Sequence, residues 1–250
     1  MRRRTALVAT ALLVAALSGC NDRPSAAPSP AAPTSSATPT SDPYTDLDPP
    51  TSPGVGSFDK VTSDRAYEAA HGLLALQLLE PATLTGSNRS ELLQQLTGQL
   101  EDATIGKDLG GAPSRRGLDY RPLLARTVRL GKPFVEVVRS SYQGDQVQGI
   151  GGETGLRVTW DGAVRYHVTV DGVPRTIGYA MTIAYVFSAV PNEPGGMALQ
   201  LVVKGSSHAA PVLTSCLAKG VLLPTAGAPT DADLGPGPYP SAPPGPACPV

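Results

Sequence analysis

The sequence predicts an α+β domain in which helices precede an antiparallel sheet. Leucine-rich segments with helical spacing occupy residues 62–100 of the 250-residue chain. After residue 126 apolar residues recur at every second position, and two Asp-Gly pairs divide this part of the chain. Helical and strand periods in separate parts of a sequence are typical of α+β folds.

Two helices are expected before the sheet. The first follows capping residues at 62–64 and continues to about Glu80, where Pro81 ends it. The second opens at Asn88, with Glu91 three residues later, which is the pattern of a capped N-terminus. Its apolar stripe consists of Leu92, Leu93, Leu96 and Leu100.

The sheet is expected to start near Arg126 and to end with a strand over residues 197–207. A Gly-rich connection over residues 105–121 precedes it. The Gly-rich segment 149–155 is similar in composition to a phosphate loop. Because it lies between predicted strands and opens no helix, we expect a hairpin loop there.

Both Asp-Gly pairs predict hairpin turns, because this dipeptide suits a two-residue turn between alternating apolar runs. At residues 171–172 a plain turn places Val170 opposite Val173 and keeps one face apolar. At residues 161–162 one bulged residue is needed, because it places Trp160 opposite Val164 and restores the apolar face. The other predicted pairs are Val158 with Tyr166, Leu156 with Val168, Tyr166 with Ile177, and Val164 with Tyr179.

Helices followed by an antiparallel meander with one apolar face resemble NTF2-like domains and, more loosely, cystatin-like domains. The resemblance covers residues 61–210 and lies in the order of the elements. It implies a curved sheet wrapped over the helices, with a ligand pocket between them. The candidate pocket residues are Trp160, Tyr166, Tyr179, Met181 and Tyr185. The alternative is that these five side chains are simply the core.

The N-terminus has the features of an export signal. Residues 2–4 are arginines, and residues 6–17 form an uncharged apolar run, shorter than the ~20 residues of a membrane-spanning helix. The run ends in Leu-Ser-Gly-Cys at 17–20, which resembles the lipobox of bacterial lipoproteins of the Gram-positive, actinobacterial type. The resemblance implies cleavage after residue 19, acylation of Cys20, and attachment to the extracytoplasmic side of the cell membrane.

Composition divides the chain after the signal peptide (residues 1–19) into three parts. Residues 20–57 hold the lipid-anchored cysteine and a Pro/Ser/Thr/Ala linker that predicts a disordered tether. Residues 58–223 are the expected globular domain, and residues 224–250 are a Pro/Gly-rich tail. With Cys20 acylated, Cys216 and Cys248 are an even pair in an oxidising compartment, so we expect a disulfide, with two free thiols as the alternative.

The charge distribution gives no support to nucleic-acid binding, since the formal net charge is only −1. The segment between Lys107 and Lys132 is locally basic, and its acidic residues are only Asp108 and Asp119. Its positive residues are Lys107, Arg115, Arg116, Arg121, Arg126, Arg129 and Lys132. We expect it either to face anionic lipid headgroups or cell-wall polymers, or to be a solvated loop and strand edge.

The sequence contains no motif for a nucleophile elbow, a nucleotide loop or a metal site. The histidines, His71, His167 and His208, are not at ligand spacing, so neither a metal nor a cofactor is expected. His167 is expected on the polar sheet face, either as a general base beside an anion-binding Arg165 or as a solvated position.

These observations favour a non-catalytic binding or scaffolding module at the outer face of the membrane. Its expected partners are the membrane, through the lipid anchor, and a cell-envelope protein or polymer. The alternative is an NTF2-like protein that binds, or isomerises, a small apolar ligand in a pocket between helices and sheet.

Overall fold

The computed structural model describes residues 42–97, 103–149, 152–190, 193–236 and 246–249. The expected signal peptide, Cys20 and the linker as far as residue 41 lie outside this part of the chain, as do Leu100 and residues 150–151. Within the described ranges, no helix has the length and apolar character needed to span a membrane.

An antiparallel sheet of four strands, in the order β1-β2-β3-β4, forms the centre of the fold. Its strands are β1 (Val128–Gln148), β2 (Thr154–Val170), β3 (Val173–Ala189) and β4 (Met197–Ala210). Helices lie before and after it in the chain. The structure therefore has the α+β class that the sequence predicts.

Five α-helices and one 3-10 helix precede the sheet in the described residues: α1 (Pro43–Asp46), α2 (Lys60–Leu78), α3 (Pro81–Thr85), α4 (Arg89–Thr97), α5 (Ala103–Gly110) and the 3-10 helix (Arg115–Asp119). Two short helices follow it, α6 (Thr214–Ala218) and α7 (Asp231–Leu234). Helix α2 begins at Lys60 because the Asp59 carboxylate accepts a hydrogen bond from the Thr62 backbone N–H at 2.8 Å. Pro81 occupies the first turn of α3, where its missing N–H costs nothing.

The hairpin predicted at residues 171–172 is confirmed. Val170 lies opposite Val173, Tyr166 opposite Ile177, and Val164 opposite Tyr179, as the alternation predicts. Asp171 and Gly172 both have positive φ, 51° and 79°, as a two-residue turn of this type requires.

The hairpin predicted at residues 161–162 is wrong, because β2 continues through both residues and pairs with β1 on one side and β3 on the other. The Asp161 carboxylate forms an ion pair with Arg139 of β1. Gly162 lies against the Trp160 ring, and a Cβ at this position would come within 2.0 Å of the ring atom Cζ2. A cross-strand ion pair and a covering indole therefore override the turn preference of Asp-Gly.

Two segments expected to be irregular are partly folded. The connection over residues 105–121 contains most of α5 and the whole 3-10 helix. Ile105 and Leu109 form a buried face on α5. The last part of the expected tether packs on the sheet: Leu47 is buried, and its carbonyl accepts a hydrogen bond from the Tyr142 hydroxyl at 2.7 Å. The folded part thus begins before residue 58.

The main core lies between one face of the sheet and α2. That face is formed by alternate residues of β2 and β3, which are buried along almost the whole length of both strands. Helix α2 contributes Ala66, Ala70, Leu74 and Leu78. The Tyr166 hydroxyl donates to the Leu78 carbonyl at 2.9 Å and fixes the end of α2 against β2.

The opposite face carries cross-strand ion pairs and the short helix α7. Arg157 pairs with Asp145 at 3.2 Å. Leu234 of α7 packs on Ala163 and Ala180, the small residues at the centre of this face. Part of the Pro/Gly-rich tail is therefore ordered on the sheet.

The second ordered part of the tail is held by the predicted disulfide. Cys216 of α6 and Cys248 are bonded, with their Cα atoms 4.8 Å apart. The Ser215 hydroxyl also donates to the Pro246 carbonyl. Residues 246–249 are thereby fixed beside α6.

Replacing both cysteines, Cys216→Ser with Cys248→Ser, is expected to lower the free energy of unfolding by about 3–4 kcal/mol, because the bond closes a long loop. Urea denaturation of the full chain measures this loss. A reductant should produce a similar loss in the wild type and none in the double variant. Equal stability of the wild type and the double variant would refute this role.

The stability of the folded protein is expected to depend on pH through His208, which lies beside α7. His208 Nε2 lies 3.9 Å from Asp233 Oδ1. Burial lowers the pKa of His208, the charge of Arg115 acts in the same direction, and Asp233 opposes both. In the unfolded protein the His208 imidazole takes up a proton near pH ~6.5, whereas in the folded protein it does so only at a lower pH. The free energy of unfolding therefore falls as the pH drops below that value.

His208→Gln is expected to flatten the dependence of the unfolding free energy on pH between about 7.5 and 5.5. His71→Gln is the matched control and should retain the dependence. Urea unfolding at a series of pH values measures both. A His208→Gln curve as steep as that of the wild type would contradict the assignment.

Candidate functional site

The five residues expected to line a ligand pocket lie in the core. Trp160, Tyr166, Tyr179, Met181 and Tyr185 are all between 0% and 2% exposed. Their surfaces are almost completely covered by other protein atoms, and all five belong to the main hydrophobic cluster. The structure therefore places these five side chains in the packed core.

Their polar atoms have partners inside the protein. The Tyr185 hydroxyl donates to Gln77 Oε1, the Tyr179 hydroxyl to the Leu118 carbonyl, and Trp160 Nε1 to the Ser140 hydroxyl at 3.0 Å. Burial raises the pKa of Tyr166 and Tyr185 well above the ordinary value. These groups stabilise the fold and are not available to a ligand.

His167 and Arg165 lie on the polar sheet face, as expected. Glu136 of β1 lies between them: Arg165 Nη1 donates to Glu136 Oε2 at 2.9 Å, and His167 Nε2 is 3.7 Å from the same oxygen. A carboxylate already occupies the place where Arg165 would hold an anion. The structure does not favour an anion site here.

Three arginines of the basic segment lie in two different surroundings. Arg115 donates to Asp119 Oδ1 and to the Ser207 hydroxyl, each at 3.0 Å, so it ties the 3-10 helix to β4. Arg121 and Arg126 instead line a half-open groove, together with Arg89 from the start of α4 and Lys219 after α6. The fold thus brings four cations from three distant segments to one site.

We call this site the cationic groove. Its volume is about 780 Å³, within the range of small-molecule sites, ~300–1,000 Å³. Beside the four cations, its lining residues are Thr85, Gly86, Pro113, Leu123, Leu124, Ala125, Thr127, Val221 and Pro249.

The floor of the groove is held by backbone hydrogen bonds on both sides. The Leu124 N–H donates to the Leu84 carbonyl at 2.8 Å. On the other side, the Leu222 N–H donates to Leu123 at 2.7 Å, and the Ala125 N–H donates to Leu222 at 2.9 Å. Segment 123–125 is therefore fixed before any ligand arrives, which lowers the cost of ordering a site on binding.

Arg121 is the unusual member of the groove. It is only 6% exposed, and its Nη1 atom is buried with no hydrogen-bond partner among the described residues. Burial lowers the pKa of Arg121, and the charge of Arg89 adds to the effect. Since a guanidinium stays protonated in proteins, the site holds a largely buried positive charge, and no acidic residue of the described ranges forms an ion pair with it.

A carboxylate lies near Arg121. Asp108 lines a smaller cavity of about 30 Å³ that adjoins the groove at Arg89 and Arg121. Its side chain is buried. The groove itself has no acidic residue among its described lining.

The chemistry of the groove is that of an anion site. A buried, unpaired guanidinium with a second arginine beside it favours a phosphate or carboxylate group, which accepts charge-assisted hydrogen bonds from both. Elsewhere in the described chain, no group of three or more metal-ligating side chains comes together.

Comparison of the chain with protein-family models, with curated proteins and with solved structures found no match. The site therefore has to be interpreted from its own residues.

The sequence analysis identified two of the four cations that line the groove. The local excess of positive charge pointed to Arg121 and Arg126 but not to the two cations that come from other segments. Arg89 lies directly after Asn88, at the start of the second predicted helix, and Lys219 lies far along the chain. No local pattern signals their approach, because it depends on how α4 and α6 pack beside segment 121–125.

Arg121→Met is expected to raise the free energy of unfolding of the ligand-free protein by about 1–2 kcal/mol, because it removes a buried unpaired charge and keeps the packing of the side-chain stem. Urea denaturation in a buffer without phosphate or sulfate measures the change. Arg116→Met, which removes an exposed arginine, is the control and should change stability by less than about 0.5 kcal/mol. A loss of stability in Arg121→Met would show that the charge has a partner.

Proposed function

We propose that this protein is a lipid-anchored binding module on the extracytoplasmic side of the membrane, which holds an anionic ligand in the cationic groove without transforming it. The observation that carries the proposal is Arg121. Buried charges with strongly perturbed surroundings cluster at functional sites, and a bound anion would supply a counter-charge to Arg121.

Features of the sequence support this location. The basic start, the short apolar run and the Leu-Ser-Gly-Cys ending favour export and acylation of Cys20. The Pro-rich segment that follows is suited to act as a spacer, with a reach on the order of 100 Å when extended. A ligand of such a module would come from the membrane surface or the cell envelope.

A binding role is favoured over a catalytic one by the residue types at the groove. Its described lining contains arginine, lysine, threonine and apolar side chains, with no histidine, cysteine or carboxylate. General acid–base catalysis uses a group that exchanges protons near neutral pH, and nucleophilic catalysis uses an activated nucleophile. Arginine supplies neither, but it binds anions firmly.

We also propose that the fold is an NTF2-like variant, since helices precede an antiparallel meander whose apolar face packs on α2. The ligand site would then differ from the pocket that the resemblance implies. The residues of that pocket are buried in the core, so the groove beside segment 121–125 is the better candidate.

The proposal predicts that inorganic phosphate stabilises the full chain. Raising the phosphate concentration at constant ionic strength should raise Tm, because an anion that binds only the folded state shifts the unfolding equilibrium. The shift should persist in Arg116→Met and be lost in Arg121→Met. Differential scanning calorimetry measures all three proteins.

Sodium chloride at matched ionic strength is the control for screening, which acts on all surface charges equally. Equal phosphate-dependent shifts in the wild type and in Arg121→Met would refute the proposed function.

A further inference from the structure

The cationic groove is lined by both charged and apolar residues. The smaller cavity and the groove share four residues, Arg89, Pro113, Arg121 and Leu123, which therefore mark one end. We call the part of the groove that is lined by its remaining residues the second end. This second end has a floor of buried apolar residues, with Arg126 and Lys219 exposed at its rim.

The floor of the second end consists of Leu124, Ala125 and Val221, which are between 3% and 8% exposed. Pro249 adds an exposed apolar ring, and it is held in place because Cys248 is bonded to α6. Backbone polar groups of this floor are used in the hydrogen bonds to Leu84 and Leu222. The floor therefore offers a ligand apolar surface and little to hydrogen-bond.

A small inorganic anion would use only the Arg121 end. It would leave the apolar floor in contact with water, although burying apolar surface is the main favourable contribution to binding small ligands. A ligand with an anionic group at one end and an alkyl body would fill both parts. The exposed cations at the rim are suited to a negatively charged surface from which such a ligand would enter.

We infer that the groove binds a phosphate-bearing amphiphile, with the phosphate at Arg121 and Arg89 and the alkyl body over Leu124, Ala125 and Val221. This inference rests on the proposed function and names the class of its ligand. Phosphate is favoured over carboxylate because a phosphate monoester carries a charge of about −1.5 to −2 at pH 7, which matches two neighbouring arginines.

The test is a chain-length series measured by isothermal titration calorimetry on the full chain. The probes are inorganic phosphate and ethyl, butyl, hexyl and octyl phosphate, all below their micelle concentrations. Each methylene that leaves water should tighten binding by up to about fourfold. Octyl phosphate should bind at least about tenfold more tightly than ethyl phosphate, and more tightly than octanoate.

Three variants keep the test specific. Arg116→Met should give the same affinities as the wild type across the series, and Arg121→Met should bind none of the probes. Because detergent around the anchor takes up the probes equally in both proteins, subtracting the Arg121→Met signal from the wild-type signal removes this contribution. Thr127→Trp places a bulky ring at the apolar end of the groove. This variant should bind octyl phosphate less tightly relative to inorganic phosphate than the wild type does. Far-ultraviolet circular dichroism should show the same folded signal for all variants.

The outcomes separate this inference from the proposed function. Binding of inorganic phosphate that depends on Arg121, without any gain from the alkyl chain, would overturn the amphiphile and leave the anion site in place. Octanoate binding as tightly as octyl phosphate would overturn the choice of phosphate. Equal binding of every probe by the wild type and Arg121→Met would overturn both proposals.

Discussion

The packing of one apolar sheet face against α2 is the interaction on which the rest of the structure depends. Alternate residues of β2 and β3 are buried along the strands, and the Tyr166 and Tyr185 hydroxyls bond to the Leu78 carbonyl and to Gln77. Gln77 also donates to the Tyr120 carbonyl at 2.8 Å, directly before Arg121. The same buried bonds that complete the core therefore fix the segment that carries the groove.

This arrangement explains why the candidate site lies beside the core and not within it. A pocket between sheet and helix would leave tyrosine hydroxyls without partners in an apolar space, which is costly. The core instead satisfies them, and segment 123–125 is held between Leu84 and Leu222 at its border. Such a rigid border is a suitable place to hold one buried charge in a ligand-ready position.

The α+β class, the second hairpin with its register and the disulfide were predictable from the sequence, because each depends on local period, turn chemistry or cysteine count. The buried face of β2 was also predicted correctly despite the false turn at residues 161–162, since a bulged turn and a continuous strand keep the same alternation. The site was only partly predictable. The approach of Arg89 and Lys219 to Arg121 is set by tertiary packing, and the local sequence carries no signal for it.

The central claim is that the Arg121 guanidinium, whose Nη1 atom has no hydrogen-bond partner among the described residues, accepts an anion. Nuclear magnetic resonance of arginine side-chain Nε–H groups in the ¹⁵N-labelled full chain tests it most directly. On titration with inorganic phosphate, the Arg121 signal should move in a saturable way, with a smaller movement of Arg89 and none of Arg116. An Arg121 signal that does not respond to phosphate, or that moves no more than Arg116, would contradict the account.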